Sequence, residues 1–119
     1  MKAILLFAHG ARNPEWARPI HAVRDAIRHR EPGIPVEAAF LEFISPSLPD
    51  AVDELQKMGC DEILIVPMFM AQTGHTQRDL PVLLDQLRMR HPTLKLRVVA
   101  PIGEVQSVVE AIADYALRS

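Results

Sequence analysis

Two histidines in this chain each stand beside a glycine, and each follows an apolar run. Ala3-Ile4-Leu5-Leu6-Phe7-Ala8 leads into His9-Gly10, while Leu64-Ile65-Val66-Pro67-Met68-Phe69-Met70 leads through Ala71-Gln72-Thr73 into Gly74-His75. A third apolar stretch, Phe40-Leu41-Glu42-Phe43, holds a carboxylate in company where a charge ordinarily needs a partner. Two imidazoles and one carboxylate suit a divalent first-row ion such as Co, Ni, Fe or Zn, with coordination positions left open. Gly10 and Gly74 would let the backbone approach a ligand closely. The residues alone leave other readings open: His9 as a buried histidine bonded to a carbonyl, and His75 as a solvated loop residue. Arg12 and Arg78 read first as surface charges. His21, His29 and His91, on helix exteriors or ends, read as structural.

These groups can act together only if the fold delivers them to one place. The chain reads as four repeats of strand followed by helix. The first strand spans about Ala3–Ala8, apolar throughout as in the middle of a parallel sheet. Asn13 is a good N-cap and Pro14 a good first helical residue. Trp16, Ile20, Val23 and Ile27 then mark one helix face, with Pro19 placed to tighten or kink its start and Glu31-Pro32-Gly33 to end it. The second strand spans about Val36–Phe43. Ser47 caps a second helix, with Leu48, Val52, Leu55 and Met58 as its buried stripe and Gly59 as its stop.

The third strand spans about Glu62–Met70. Pro67 cannot donate to a ladder, so it belongs near the carboxyl end or at a bulge. A third helix from about Asp79 buries Leu80, Leu83, Leu84 and Leu87 and stops at His91-Pro92. The fourth strand, about Leu94–Ala100, alternates Leu94, Leu96 and Val98 with Lys95 and Arg97, as an edge strand would. A last helix, about Val105–Leu117, is expected to bury Val105, Val108, Val109 and Ile112. Strand–helix alternation of this kind gives a single α/β domain over 1–119, a four-stranded parallel sheet with helices on both faces. In such a sheet ligands bind beyond the carboxyl ends of the strands. That rim would hold His9, Arg12, Glu42, Ser45, Gln72, Thr73, His75 and Arg78.

Bulk composition narrows the classes. The chain has 119 residues, 49% hydrophobic and 24% charged, with a net charge of −2, which is the make-up of one ordinary globular domain. A pI near 6.2 gives no basic face for nucleic acid. No apolar stretch is long enough to span a membrane. The apolar start ends in His9-Gly10-Ala11-Arg12 without a small-residue cleavage site, so it reads as a strand and not a signal peptide. Cys60 is the single cysteine, which excludes a disulfide framework or thiolate cluster and fits the cytoplasm. Cys60 itself reads as a small, partly buried residue.

Three motifs follow one another: Ala8-His9-Gly10-Ala11-Arg12, then Phe40-Leu41-Glu42-Phe43 with Pro46-Ser47-Leu48-Pro49, then Val66-Pro67-Met68-Phe69 leading into Gly74-His75 and Asp79-Leu80-Pro81. In these the chain resembles the short-form sirohydrochlorin chelatases, the small CbiX/SirB-like branch of the class II chelatases. The resemblance runs over essentially the whole chain and includes the proline of the third strand. The family's first motif more often reads Gly-His-Gly-Ser, and its third is often richer in glycine or histidine; both departures bear on substrate choice.

The resemblance implies that His9 and His75 bind the incoming metal, that His9 accepts a pyrrole proton, and that Glu42 assists. It implies insertion of Co²⁺, Ni²⁺ or Fe²⁺, as a substrate, into a sirohydrochlorin-like tetrapyrrole for cobalamin or sirohaem. No nucleotide and no tightly bound cofactor is needed. The macrocycle's carboxylates would meet Arg12, Ser45, Arg78 and the loop Met70, Ala71, Gln72, Thr73 and Gly74 at a helix start. The long-form relatives hold two such halves in one chain, so this chain is expected to pair as a two-fold homodimer. A non-catalytic metal- or tetrapyrrole-binding carrier is the alternative.

Overall fold

Apolar strands and amphipathic helices alternate in the computed structural model, which describes residues 1–119 apart from the side chain of His75. The order is β1 (Lys2–Ala8), a 3-10 turn (Pro14–Ala17), α1 (Arg18–Arg30), β2 (Val36–Phe40), α2 (Leu48–Lys57), β3 (Glu62–Pro67), α3 (Gly74–Arg90), β4 (Lys95–Val98), a second 3-10 turn (Ile102–Glu104) and α4 (Gln106–Arg118). All strand pairs are parallel, in the order β2-β1-β3-β4. The four-stranded parallel sheet with helices on both faces is therefore present, and β4 is an edge strand.

The two faces are covered unequally. On one, Ala3, Leu5 and Phe7 of β1, Ile63 and Ile65 of β3 and Leu96 of β4 pack against Leu48, Val52 and Leu55 of α2 and Leu80, Leu84 and Leu87 of α3. This is the main core, and Cys60 is buried in it at 2% exposure. On the other face α1 packs mainly on β2 and to a lesser extent on β1. A smaller cluster forms there from Ala8, Ala17, Ala38 and Phe40, with Ile20, Ile44 and Met68 at its margin. No residue of α1 is fully buried.

Several boundaries differ from the sequence expectation, each for a local reason. Pro19 has no N–H to offer Glu15, so the Arg18 N–H bonds the Glu15 carbonyl and the chain runs as a 3-10 turn before α1 begins. Trp16 thereby falls out of phase with the helix face and is 73% exposed, and Val23 is exposed as well. The second strand ends at Phe40, whose N–H donates on its outer edge to the Pro46 carbonyl at 2.9 Å, and Phe43 takes φ 69. The Ser45–Pro46 peptide in this loop is cis. Pro67 is the last residue of β3, at the carboxyl end as expected.

The third helix starts at Gly74, five residues before the expected Asp79. Thr73 and Thr76 hold each other's backbone N–H in a reciprocal cap. β4 is shorter than expected, and Met58 is an exposed C-cap rather than part of the stripe of α2. The largest departure is α4. None of its residues is buried, with Val109 at 42% and Ile112 at 45% exposure, and it packs to any extent only on the 3-10 turn before it.

Candidate functional site at the carboxyl rim of the sheet

Parallel strands of different length end at different heights, and the backbone beyond them decides what meets. The Leu41 N–H donates to the Ala8 carbonyl at 2.9 Å, and the Glu42 N–H donates to the His9 carbonyl at 3.1 Å. The β1–β2 ladder thus continues past both strands and lays Glu42 beside His9. Between them sits Gly10, at φ +90, where a Cβ would come within 1.9 Å of the Glu42 carbonyl oxygen. Only glycine supplies both that backbone angle and that closeness.

His9 is exposed, so the reading of it as a buried, carbonyl-bonded histidine does not hold. Glu42 is also exposed, and its carboxylate has no hydrogen bond or ion pair among the described residues. Of its apolar neighbours, Leu41 packs against the main core and Phe43 lies exposed under Arg12. Both groups face water and are free to take a ligand.

The third strand delivers its loop to the same rim. The Met68 N–H donates to the Phe7 carbonyl at 2.7 Å, so β1 and β3 remain tied where Pro67 ends the ladder. Met70, Ala71, Gln72, Thr73 and Gly74 are exposed, and Gly74 opens α3, whose uncapped N–H groups favour anions. His75 lies in the first turn of α3 and not in a loop; its side chain lies outside the described residues. Among the described residues no three His, Cys, Asp or Glu side chains form a metal-holding group.

The remaining sequence-predicted residues have local roles as well. Arg12 lies over the Phe43 ring at 5.1 Å from its centroid, a cation–π contact at the rim. Arg78 donates from Nε to the Gly74 carbonyl at 3.2 Å and so braces the start of α3. Ser45 is exposed in the β2–α2 loop. His91 bonds the Asp53 carboxylate at 2.7 Å, and His21 packs near the Phe40 ring, so both are structural; His29 is exposed.

One part of the site escaped sequence reasoning. An open pocket of about 180 Å³ beside His9 is walled by Ala8, Gly10, Trp16, Ile20, Phe40, Ile44 and Met68. Trp16 was assigned to a buried helix face, and its place one turn after Asn13 at a strand end is the signal that could have found it. The pocket offers an apolar wall next to an imidazole and a carboxylate, which suits the edge of a flat, partly apolar ligand bearing a proton to lose.

Comparison with known proteins fits this geometry. A Sirohydrochlorin cobaltochelatase of Methanothermobacter thermautotrophicus is 37% identical over 81 residues, covering 68% of this chain and 56% of that protein. The chain thus spans little more than half of that relative. A Sirohydrochlorin cobaltochelatase of Sulfurisphaera tokodaii is 31% identical over 114 residues, 96% of this chain and 90% of its own length. The crystal structure of a CbiX protein of Marinobacter aquaeolei VT8 superposes with a TM-score of 0.85 at 25% identity, over 99% of this chain and 96% of that one. Residues 3–118 match the CbiX family model, and with that span and those relatives the chain belongs to the CbiX family.

Proposed function

We propose that this protein is a chelatase that inserts a divalent metal ion into sirohydrochlorin. The observation that carries the reading is the rim itself: an exposed His9 laid beside an exposed Glu42 by backbone hydrogen bonds, next to an apolar pocket. Family membership supports it, and the names of the relatives point to cobalt.

Insertion replaces two pyrrole protons with one M²⁺. The His9 imidazole accepts one proton, and the Glu42 carboxylate or water accepts the other. His9, Glu42 and His75 form the metal-handling set, and too few ligands to close a tetrahedral site leave the ion able to depart. Arg12, Arg78, Ser45 and the segment Met70, Ala71, Gln72, Thr73, Gly74 meet the macrocycle's carboxylates, with the start of α3 supplying backbone N–H groups. Trp16 and Ile44 take an edge of the ring.

A pocket of about 180 Å³ is small against the roughly 300–1,000 Å³ of sites that enclose a ligand. We therefore infer a two-fold homodimer in which a second copy contributes to holding the macrocycle. No helix among the described residues is long and apolar enough to cross a membrane, and the reaction is assigned to the cytoplasm. No bound cofactor takes part, and the metal is Co²⁺, with Ni²⁺ and Fe²⁺ as competitors for the same ligands.

The test is anaerobic insertion into sirohydrochlorin with Co²⁺, Ni²⁺ and Fe²⁺ in turn, followed by absorbance. His9→Ala and His75→Ala are each expected to lower the rate at least 100-fold while leaving circular dichroism unchanged. Parent-like rates in both variants refute the assignment. Metal binding by the parent without product would make it a carrier instead.

A further inference from the structure

We propose that Phe43 is a positioning residue, whose ring holds the Arg12 guanidinium clear of Glu42 and ready for a carboxylate at the edge of the substrate. The proposal rests on the chelatase reading above and names the substrate group that this part of the rim recognises.

The backbone at Phe43 is under strain. Its φ is 69, and the Ile44 N–H donates to the Glu42 carbonyl at 2.9 Å across it. A hydrogen bond spanning two residues about a centre of positive φ is the rare, strained form of γ-turn. Elsewhere at the rim, tight backbone is given to glycine. Gly10 stands at φ +90 against Glu42, and a Cβ at Gly103 would lie 2.0 Å from the Met70 carbonyl oxygen. Among the described residues Phe43 is the one non-glycine residue with positive φ. A bulky side chain in that region is a genuine outlier, and glycine would relieve it.

Burial does not offset the strain, because Phe43 is 59% exposed. Leu41, two residues earlier, packs against the main core, and Ile44 borders the smaller cluster. The turn thus leaves outside the one apolar residue of the three that has no place in the core. What the ring does contact is a cation: the Arg12 guanidinium carbon lies 5.1 Å from its centroid.

That contact decides where a charge goes. Arg12 lies three residues after His9, whose carbonyl accepts the Glu42 N–H, so a guanidinium and a carboxylate stand on two segments tied together. They form no ion pair, and Arg12 has no other charged partner among the described residues. Glu15, the next carboxylate along the chain from Arg12, is taken by Arg18. Opposite charges on adjacent segments attract, and the ring offers the guanidinium a different seat. Stacked there it keeps its N–H donors, whose fork matches a carboxylate two bonds at a time. Metal insertion into an anionic macrocycle needs both charges unspent, the carboxylate for the ion and the cation for the macrocycle's periphery. Without the ring, Arg12 closes on Glu42 and both are lost to the reaction.

A double-mutant cycle on the intact chain tests this. Trp16 is the single tryptophan and lines the pocket beside His9, so quenching of its fluorescence reads the binding of metal-free sirohydrochlorin without turnover. Phe43→Leu, which keeps apolar bulk but removes the ring face, is expected to weaken binding about 10-fold, and Arg12→Gln by about the same factor. In the Arg12→Gln background, Phe43→Leu should have no further effect, because the ring acts through the guanidinium. Phe43→Tyr, which retains the ring, should bind as the parent does. Phe43→Gly suits the left-handed backbone, so it should keep the parent's circular dichroism and still bind as weakly as Phe43→Leu. Parent-like binding by Phe43→Leu, or an equal loss in both backgrounds, overturns the proposal. Insertion assays on the same samples separate the two ideas. Coupled loss of binding, with no insertion of Co²⁺, Ni²⁺ or Fe²⁺ by the parent, refutes the chelatase reading alone. Insertion by parent and Phe43→Leu with the same KM refutes the role of Phe43 alone. A parent that neither binds nor inserts overturns both.

Discussion

Gly10→Ala is the sharpest single probe of how the rim is built. Two costs add. A non-glycine residue held at φ +90 costs about 1–2 kcal/mol. A Cβ placed 1.9 Å from the Glu42 oxygen must push the 41–46 loop away, which sacrifices the hydrogen bond between the Glu42 N–H and the His9 carbonyl and about 1 kcal/mol more. The sum is about 2–3 kcal/mol. A chain of 119 residues unfolds with an entropy of about 0.25 kcal/mol/K near its midpoint, so the Tm should fall by about 8–12 °C.

Thermal unfolding followed by circular dichroism reads this directly. Gly33→Ala serves as the control, because a Cβ there meets nothing within 4 Å and its φ is not left-handed; its Tm should match the parent or rise by a few degrees. Gly10→Ala should also lose most of its insertion rate at 20 °C, where it remains folded, because Glu42 is displaced from His9. A Tm within 2 °C of the parent would refute the close approach of the two loops, and with it the account of how His9 and Glu42 meet.

Thr73→Ala removes one half of the reciprocal cap of α3 and should cost about 1 kcal/mol, a fall of about 4 °C, with faster amide exchange at Thr76. Leu55→Ala, at a fully buried position between α2 and the sheet, should cost about 3 kcal/mol yet leave the insertion rate of folded protein at 20 °C within two-fold of the parent. Burial pushes the Cys60 thiol up from its ordinary range, so iodoacetamide at pH 8 should leave the native protein unmodified by mass and label it fully in guanidinium.

The sheet was legible because its residues obey one rule at a time. Ile63, Ile65 and Leu96 are apolar at every second position and lie where alternation puts them, and Lys95 and Arg97 announced an edge. The strand ends were less legible. Phe40-Leu41-Glu42-Phe43 reads as continuous strand, but the chain leaves the sheet at Phe40 because the 41–46 loop closes on itself, a tertiary fact with no periodicity. The start of α3 lay hidden because Gly74-His75-Thr76 lacks apolar residues, although Thr73 was a readable cap.

Most instructive is α4. Its stripe reads correctly as an amphipathic helix, but the burial expected of Val109 and Ile112 does not occur, since both stay exposed. Sequence periodicity says that a helix has an apolar face but not what packs on it. That His9 and Glu42 lie side by side was legible from strand order. Trp16 was missed because Pro19 shifts its phase.

The two glycine contacts at the rim, Gly10 against Glu42 and Gly103 against Met70, are both contacts of backbone with backbone. The framework that holds the candidate ligands is therefore indifferent to which side chains stand at Arg12, Glu42, Ser45, Met70 or Gln72. Substitution at these exposed places should change what is bound without changing what is folded. A scaffold of this kind can drift from one ion or one macrocycle to another through single mutations that carry little stability penalty, so divergence in metal preference among such chains need not wait for compensating changes in the core.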